Sequence, residues 1–460
     1  MLIAWFLPAV GVLLALMPTG DLAYQISAGV RMIDGHTILT RDVFTFTYAR
    51  REWLDLQWAA EIILGGLFKI VGWRGLVVVR ALLVSITAGA TLIRTRAKGA
   101  DIFVAAASTI VFLEIAFLVP RANSLRPQLL AVPLFVLALW LLDQRQKRPA
   151  ILLWLIPIEI VWANFHGSFI LLIALVGIAF FADLVAKPRR PAIWTGAILL
   201  ASLVAPLVSP LGFGTYRYLG LILSSPVIRI FVDEWQPLWR VLPAGPVFLV
   251  AVITAIVVIV KHGTRRPTLE EGLQVLLLSG LALWSARNLL WWALAMPPIV
   301  GGLLAGWRPH RTGTRSLGVM VGAVLAALLL IGCVRVATIE PARALLSEAP
   351  SQGLTDAVGA AAKDGARVFD GWWWSWFELE LPNVPMFVDA RTEMFPTEVW
   401  ADYFTIIQAR TGWMAALDRW NVGVIVTDKS TEARLIRELR TDSDWTLRYE
   451  DTEGVVFTRA

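Results

Sequence analysis

Long apolar runs separated by short charged clusters make up most of the chain. We expect each run to form a helix that crosses, or nearly crosses, a hydrocarbon core about 30 Å thick. The pattern therefore predicts an all-α polytopic membrane protein with about eleven transmembrane helices. The runs lie at 2–17, 75–93, 101–119, 127–142, 150–163, 168–186, 192–209, 245–261, 270–285, 288–306 and 316–337.

The charged clusters between these runs alternate in a regular way. If the amino terminus is cytoplasmic, every connection on the cytoplasmic side carries a basic cluster, as the positive-inside rule requires. The other connections then lie outside, and so does everything after about residue 338. The basic clusters are RTRAK at 94–98, DQRQKR at 143–148, KPRR at 187–190, KHGTRR at 261–266 and RPHRTGTR at 308–315.

One apolar stretch does not fit this alternation. Residues 56–72 contain Glu61 and Lys69, and a membrane span here would invert all the basic loops that follow. We interpret the stretch as an interfacial helix on the outer surface. A second interfacial helix is predicted within 213–223.

The composition changes after Cys333, where short β-branched segments alternate with helical ones. This alternation predicts a small α/β domain at 338–460, placed outside by the topology. Residues 1–337 are then the transmembrane domain, and 18–72 is its first extracytoplasmic loop. The predicted strands are 366–370, 386–390, 422–428, 445–450 and 454–459, and the predicted helices are 354–363, 397–419 and 430–440.

Composition agrees with a membrane protein and excludes several other classes. Of 460 residues, 57% are hydrophobic and only 17% are charged, which is too apolar for an ordinary soluble protein. The net charge of +6 is explained by the basic loops, so we predict no nucleic-acid partner. Walker A, GxSxG, HExxH and CxxC motifs do not occur, which leaves an ATP-driven pump or a zinc protease without its chemistry.

Asp21 follows the first apolar run directly, in the polar stretch from Gly20 to Glu61. A carboxylate at a helix end commonly sits in headgroup water without a further role. The alternative interpretation is a general base that faces a cavity at the membrane surface, because an ionised Asp can accept a proton from a hydroxyl or hold a divalent cation.

Several polar residues lie on the predicted outer connections. Arg121 and Arg126 run against the positive-inside bias, and Arg287 is placed similarly. They either snorkel to lipid phosphates or clamp the phosphate of a ligand. Asn164 and His166, in WANFHGSF, either form a simple turn or bind phosphate or a sugar hydroxyl.

Two further features have both a structural and a functional interpretation. Glu114 lies within a predicted span, where an ionisable group usually faces a cavity or a partner such as Arg121. The DEWQP segment with Glu234 and Trp235, and the tryptophan run at 372–376, supply aromatic surfaces outside. Interfacial belts explain many tryptophans, but the ring also stacks on sugars.

Together these stretches resemble a family. GDLAYQISAGVRMIDG, RDVFTFT, EWLDLQWAAE, LRPQL, WANFHGSF, DEWQPL and VDARTEMF resemble a bacterial group within the GT-C superfamily. Its members are membrane glycosyltransferases that use polyprenyl-phosphate-linked sugars. The resemblance rests on short motifs and on the order of a first helix, an immediate Asp, a long outer loop, many short-looped spans and an outer carboxy-terminal domain.

The resemblance implies that Asp21 is the catalytic base of an inverting hexosyl or pentosyl transfer. A second acidic site of the superfamily has no clear match, because Arg121 and Arg126 lie where it is expected and Glu114 lies deeper. A divalent cation such as Mg²⁺ or Mn²⁺, held by Asp21 and Glu114, and a mechanism without a metal both remain open. The residues expected to bind substrate are Tyr24, Gln25, Asp42, Trp53, Glu61, Arg121, Arg126, Asn164, His166, Glu234, Trp235 and Arg287.

The expected partners are a polyprenyl-phosphate-linked sugar, membrane lipids and an extracytoplasmic acceptor that is a glycan, a lipid or a protein. The expected location is a bacterial plasma membrane, with the amino terminus in the cytoplasm. Two other functions stay open: a flippase or transporter for lipid-linked glycans, and a non-catalytic membrane scaffold.

Overall fold

The computed structural model describes residues 1–187, 189–309, 315–363, 365–371 and 373–460. Helices dominate up to residue 338, and each of the eleven predicted apolar runs coincides with helix. In chain order the α-helices are α1 Leu2–Leu14, α2 Leu22–Gly35, α3 Trp58–Ala97, α4 Ile102–Phe117, α5 Pro127–Gln144, α6 Leu155–Ala163, α7 Ile170–Ala186, α8 Arg189–Val204, α9 Gly214–Ser224, α10 Pro226–Phe231, α11 Ala244–His262, α12 Leu269–Trp284, α13 Leu289–Leu303, α14 Arg315–Thr338, α15 Gln352–Ala361, α16 Trp374–Glu380, α17 Thr397–Ile407, α18 Trp413–Arg419 and α19 Ala433–Thr441.

Short elements complete the chain. The strands are β1 Met17–Pro18, β2 Leu346–Ser347, β3 Arg367–Asp370, β4 Val422–Asp428, β5 Trp445–Glu450 and β6 Gly454–Arg459. The 3-10 helices are Pro149–Trp154, Gly167–Phe169, Ala205–Leu207, Asp233–Trp235, Leu238–Arg240, Ala286–Asn288 and Ala342–Leu345.

Not all the apolar helices are long enough to span a bilayer by themselves. Within the described ranges, six are long and apolar enough, so the predicted count of eleven spans is not confirmed. Three further apolar helices are shorter. The six are Trp58–Ala97, Pro127–Gln144, Gly167–Ala186, Arg189–Leu207, Ala244–His262 and Met320–Thr338; the three are Leu2–Leu14, Ile102–Phe117 and Pro149–Ala163.

The chain divides into two compact units. The first contains Met1–Met17, Val71–Leu219 and Arg229–Leu345. The second contains Pro18–Ile70, Gly220–Ile228 and Leu346–Ala460. The stretch from 18 to 70 therefore folds in one unit with the carboxy-terminal segment.

The first unit is a helical assembly around α13, where nearly every residue is buried despite Pro297 and Pro298. Aromatic rings fill the space around α13: Trp291 lies 5.1 Å from Phe135 and 5.7 Å from Trp162, centroid to centroid. Helix α11 is much less buried than α13: only 11% of its most apolar stretch is buried. A helix this apolar and this exposed is suited to contact lipid.

Ion pairs join helix ends within the first unit. Arg145 at the end of α5 donates to Asp183 on α7 at 3.1 Å and to Glu270 on α12 at 2.6 Å. Arg94 on α3 donates to Asp143 at 2.6 Å. These arginines come from two of the predicted basic clusters, and their partners are carboxylates near the ends of α5, α7 and α12. Parts of two other clusters, at 188 and 310–314, lie outside the described residues.

From Trp58 onward, the predicted interfacial stretch at 56–72 forms the first arm of α3. The helix is interrupted at Gly72, whose φ of 59° lies in the left-handed region that favours glycine. The first arm crosses α2 at very short range, because a Cβ added to Gly29 would lie 1.8 Å from the carbonyl oxygen of Glu61. Helix α9 confirms the helix predicted within 213–223.

The second unit contains a four-stranded sheet in the order β3-β4-β6-β5. Strands β3 and β4 are parallel, whereas β4 with β6 and β6 with β5 are antiparallel. Their core side chains include Phe369, Ile425 and Phe457, which are almost fully buried. Four of the five predicted strands are thus confirmed, within a residue at each end.

The fifth predicted strand, 386–390, is wrong. Met386 makes only isolated bridges, to Thr45 and to Val368. The chain then leaves the strand conformation because the Asp389 carboxylate accepts a hydrogen bond from the backbone N–H of Arg391, at 2.8 Å. The apolar alternation at 386–388 reflects burial of these side chains rather than membership of the sheet.

The predicted helix 397–419 is two helices, α17 and α18. Ala409 has a φ of 44° and Gly412 a φ of 90°, and two left-handed residues end the first helix and begin the second. Helix α16 was not predicted. It begins within the tryptophan run at 372–376, which the sequence analysis interpreted as an aromatic surface. Trp372 itself lies outside the described residues.

Candidate anion-binding site

Four connections of the first unit meet at one cluster, which we call the arginine cluster: the buried Arg126, His166 and Glu234 and the half-buried Arg287. Each residue lies at or next to the end of a helix. Arg126 precedes α5, His166 precedes the 3-10 helix Gly167–Phe169, and Arg287 lies between α12 and α13. All four were expected to bind substrate, and the structure brings them together.

Glu234 is the centre of the cluster. Arg126 donates to its two carboxylate oxygens, at 3.3 Å and 2.7 Å, and Arg287 approaches one of them at 3.5 Å. Burial by itself would raise the pKa of Glu234, but the charges of Arg126 and Arg287 outweigh burial and lower that pKa to about 2. The carboxylate is therefore ionised at any physiological pH.

His166 is held in the neutral form. Burial, together with the charges of Arg287 and Arg126, lowers the pKa of His166 well below its usual value. Arg287 lies 3.0 Å from Nε2, and because an arginine can only donate, Nε2 must accept. The ring proton is then on Nδ1, which donates to the Ser168 hydroxyl oxygen at 2.7 Å. In this tautomer Nδ1 carries the proton, so it does not accept a hydrogen bond from the Ser168 backbone nitrogen, which lies 3.1 Å away.

Neighbouring groups fix the arginines in place. The Trp235 ring lies under the Arg287 guanidinium, 4.9 Å from ring centroid to Cζ, and Gln128 accepts from the same guanidinium at 3.4 Å. Arg126 also donates to the backbone carbonyl of Arg121 at 3.3 Å. Gln128 was not predicted, although LRPQ places it two residues after Arg126.

Asn164 and Arg121 border the cluster. The Asn164 amide donates to the carbonyls of Ile160 at 2.8 Å and Val208 at 2.9 Å, so it ties the end of α6 to the segment after α8. Arg121 is half-buried and has a φ of 59°. Burial raises the pKa of Glu234, and the charge of Arg121 adds to the other arginine charges that lower it.

The arginine cluster contains two arginines and one carboxylate, and Arg287 is half-buried. His166 is neutral and adds no charge. Some ion pairs of the same unit are balanced one to one, as Arg265 is with Glu271. A site with several N–H donors from arginines is chemically suited to an anion such as phosphate.

The remaining predicted site residues, apart from Glu114, lie in the second unit. Asp21 is half-buried and directly precedes α2, and Tyr24 and Gln25 lie one turn further on the same helix. The Gln25 amide nitrogen donates to Gln57 at 3.2 Å and approaches the Tyr24 hydroxyl at 3.4 Å. Gln25 Oε1 is buried without a hydrogen-bond partner among the described residues.

Asp42, Trp53 and Glu61 lie in a buried carboxylate cluster around Arg391. Arg391 donates to Asp42 and Asp389, and its guanidinium lies 4.4 Å from the centre of the Trp53 ring. Arg391 and Asp389 were not assigned a role from the sequence, although both lie in VDARTEMF. Their long separation from residue 42 in the chain gave no local signal of the contact.

The carboxylate cluster also includes Glu378 and Asp55. Burial, and after it the charge of Asp389, raise the pKa of Glu378 well above its usual value. Asp55 shares a side-chain hydrogen bond with Glu61, and burial raises the pKa of Asp55 to about 7. One arginine thus faces more carboxyl groups than it can neutralise, so some of them are protonated.

Glu114 is exposed on α4. In the part of the chain that the structure describes, groups of three or more His, Cys, Asp or Glu placed to hold a metal ion do not occur. The steps proposed below use no metal ion.

Comparison with solved structures identifies the fold. The chain is similar to the oligosaccharyltransferase AglB of Archaeoglobus fulgidus, which was solved with an inhibitory peptide and a dolichol-phosphate. The similarity covers 100% of this chain and 74% of that protein, with a TM-score of 0.53 and 11% sequence identity. The chain is also similar to ArnT of Cupriavidus metallidurans bound to undecaprenyl phosphate. This similarity covers 99% of this chain and 96% of that chain, with a TM-score of 0.53 and 14% sequence identity. The chain has the GT-C fold.

A third similarity extends this result to another kind of GT-C protein. The mycobacterial arabinofuranosyltransferase AftD matches over 99% of this chain and 40% of its own, at a TM-score of 0.53 and 16% identity. No protein-family model and no curated protein sequence matches the chain. The predicted GT-C fold is confirmed, although sequence identities this low support a common fold and no more. The chain is a membrane protein of this fold.

Proposed function

We propose that the protein is a glycosyltransferase that moves a sugar from a polyprenyl-phosphate donor to an extracytoplasmic acceptor. The GT-C fold supports this, since structural neighbours were solved with dolichol-phosphate and with undecaprenyl phosphate. The observation that carries the proposal is the convergence of Arg126 and Arg287 with His166 at the ends of apolar helices. A lipid phosphate places its charge at that depth and its chain among the helices.

The proposed chemistry uses Asp21, Arg126 and Arg287. An acceptor hydroxyl oxygen attacks the anomeric carbon, and the bond from that carbon to the phosphate oxygen breaks with its electron pair. Asp21 takes the hydroxyl proton, and the two arginines stabilise the charge that develops on the leaving phosphate. Attack opposite the leaving group inverts the anomeric centre.

The proposal includes a topology. The amino terminus is cytoplasmic in a bacterial plasma membrane, and residues 338–460 lie outside, where they meet a glycan, lipid or protein acceptor. The basic clusters on alternate connections support this orientation. A reporter fused after Ala460 is expected to be active outside the cytoplasm, and activity inside would refute the topology.

Phosphate binding is tested with Arg126→Ala. Loss of a charge-assisted hydrogen bond costs about 1.5–3 kcal/mol, so undecaprenyl phosphate is expected to bind roughly 10- to 100-fold more weakly in nanodiscs. Arg240→Ala is the matched control, because Arg240 is an exposed arginine of the same unit. Equal affinity of the Arg126 variant and the control would contradict the proposed phosphate site.

The base is tested separately with Asp21→Asn. This variant is expected to bind undecaprenyl phosphate normally and to lose sugar transfer by at least about 100-fold, the usual effect of general-base removal. Asp34→Asn, which changes an exposed carboxylate of α2 paired with Lys69, should keep its activity. Undiminished transfer by the Asp21 variant would exclude Asp21 as the base. Lipid binding without transfer by the unmodified protein, for any acceptor, would favour a flippase.

A further inference from the structure

The backbone next to Asp21, the proposed base, is held by a segment that lies 328 residues further along the chain. The Glu348 carboxylate accepts a hydrogen bond from the backbone N–H of Gly20, at 2.9 Å between nitrogen and Oε2. The Ser347 carbonyl accepts from Thr19 twice, from the backbone N–H at 3.2 Å and from the hydroxyl at 2.8 Å. All five residues lie in the second unit. The carboxy-terminal segment thus satisfies two backbone N–H groups at the start of α2.

These hydrogen bonds take the place of a cap that Asp21 does not form. An aspartate at the start of a helix usually accepts a hydrogen bond from an N–H of the first turn. Asp21 directly precedes α2, yet among the described residues its side chain makes no capping hydrogen bond of this kind. The helical hydrogen bonds begin here nevertheless, since the Thr19 carbonyl accepts from the Ala23 N–H at 3.0 Å. The carboxylate bound to the backbone at this end of the helix is that of Glu348.

Glu348 has a backbone conformation that a glycine adopts more easily. Its φ is 67°, in the left-handed region, where a side chain is strained. Such a conformation persists only when the surrounding contacts offset the strain. The hydrogen bond to Gly20 is one of these contacts, and it needs the carboxylate. A glycine at position 348 would avoid the strain and lose this hydrogen bond.

We infer that Glu348 is a positioning residue for Asp21: together with the Ser347 carbonyl it holds the backbone before α2 and so fixes the place of the Asp21 carboxylate. The inference rests on the proposed function, because it takes Asp21 as the base. Glu348 acts through the backbone and touches neither donor nor acceptor. In the proposed topology it belongs to the extracytoplasmic segment after α14, so that segment contributes to the catalytic step.

The position of Gly20 explains why the backbone needs to be held here. A general base works only within hydrogen-bond distance of the proton that it takes. Gly20 immediately precedes Asp21, and a glycine has more backbone freedom than any other residue. Rotation at Gly20 would move the Asp21 carboxylate, and a shift of about 1 Å in a reacting group can cost about 100-fold in rate. The hydrogen bond to Glu348 restricts the chain at this residue.

Hydrogen exchange tests the contact without any substrate. Exchange of the Gly20 amide is followed by mass spectrometry of peptides that cover 18–25, on the full-length protein in detergent. Glu348→Ala removes the acceptor and is expected to accelerate this exchange by about tenfold or more, the factor for loss of a hydrogen bond to a charged acceptor. Glu348→Gln keeps an acceptor oxygen, so its Gly20 amide should exchange more slowly than in the alanine variant. Glu438→Ala is the matched control, because Glu438 is an exposed glutamate of the same unit.

Transfer and lipid binding separate a positioning role from a merely structural one. Transfer is measured as the glycan product restored, per amount of protein, in cells that lack their own copy of the gene. Glu348→Ala is expected to lower transfer by about 10- to 100-fold, and Glu348→Gln should restore most of it. The affinity for undecaprenyl phosphate in nanodiscs, and amide exchange in β4, should be the same in both variants as in the unmodified protein.

Thr19→Val provides the same test if Glu348→Ala does not fold. Valine has the shape of threonine but cannot donate to the Ser347 carbonyl. The variant should accelerate exchange in 18–25 and lower transfer, each by less than Glu348→Ala, since the backbone hydrogen bond from residue 19 stays. Thr19→Ser keeps the hydroxyl and should restore both.

The outcomes distinguish this inference from the proposed function. Equal exchange of the Gly20 amide in Glu348→Ala and Glu438→Ala would overturn the contact. Faster exchange with full transfer, or a loss of transfer accompanied by faster exchange in β4 and weaker lipid binding, would overturn the positioning role alone. Undiminished transfer by Asp21→Asn would overturn the proposed base, and this inference with it, whatever the exchange at Gly20.

Discussion

Asp55 makes the stability of the second unit depend on pH. The side chain is 3% exposed and shares a hydrogen bond with Glu61. Burial raises the pKa of Asp55 from 3.8 to about 7, against opposing effects of the Glu61 and Gln57 hydrogen bonds and of Arg391. The folded protein therefore keeps a proton on Asp55 at pH values where the unfolded chain has lost it.

The sign and size follow from proton linkage. Between about pH 4 and pH 7 the folded state binds more protons than the unfolded state, so the free energy of unfolding falls as pH rises. A shift of about three pKa units corresponds to about 4 kcal/mol. This contribution is fully present below pH 4 and is lost by about pH 7.

The perturbation that tests this is Asp55→Asn. An amide keeps the shape and can still accept the Gln57 backbone N–H, which lies 2.9 Å from Asp55 Oδ1, but it carries no charge at any pH. The variant is expected to show a smaller fall in stability between pH 4.5 and 7.5, because only the contribution of Asp55 is removed while Glu61 and Glu378, whose pKa values burial also raises, still titrate. At pH 8 it should unfold at a higher temperature than the unmodified protein, by about 8–16 °C if the whole 4 kcal/mol is realised.

Tryptophan fluorescence during heating in detergent, at a fixed scan rate, measures the unfolding midpoint. Asp356→Asn is the control, because Asp356 is an exposed carboxylate of the same unit. A midpoint of the unmodified protein that does not fall between pH 4.5 and 7.5 would refute the reasoning. So would an Asp55→Asn variant that keeps the same slope.

Two other predictions concern packing and charge in the second unit. Gly29→Ala should prevent folding or lower stability by more than about 3 kcal/mol, because the new Cβ would lie 1.8 Å from the Glu61 carbonyl oxygen. Gly66→Ala is the control with ordinary contact at 3.7 Å, and equal effects in a thermal melt would contradict the helix crossing. Arg391→Leu should destabilise the unit by about 3–5 kcal/mol, since it leaves Asp42 and Asp389 buried without their cation. A melting temperature within 2–4 °C of the unmodified protein, the shift expected for only about 1 kcal/mol, would contradict the stabilising role of Arg391.

Helix in the first 340 residues could be predicted because it depends on local patterns. Every apolar run of about 14 or more residues is helical, since a backbone surrounded by lipid or apolar side chains must satisfy its hydrogen bonds within the segment. The number of spans could not be predicted in the same way. Helices such as α6 are too short by themselves, and packing decides how they are accommodated.

Part of the candidate site could also be anticipated. The alternation of the basic clusters assigns four connections to the outer side of the membrane, and these carry Arg126, His166, Glu234 and Arg287. Helix ends on the same side of a membrane can lie close together. Their pairing could not be predicted, because Glu234 contacts Arg126 across more than 100 residues of chain. Glu234 appeared in the sequence as part of an aromatic segment, and only the contact shows it as a counter-ion.

The sequence by itself determined where the helices and four of the strands lie, because hydrophobic periodicity and turn residues act over a few positions. Tertiary structure decided that 386–390 is not a strand, that Arg391 gathers the carboxylates of the first loop, and that two arginines share one glutamate. These outcomes depend on burial and on charges brought together from distant parts of the chain. The free energy of such contacts exists only once the chain is folded, so no local pattern records them.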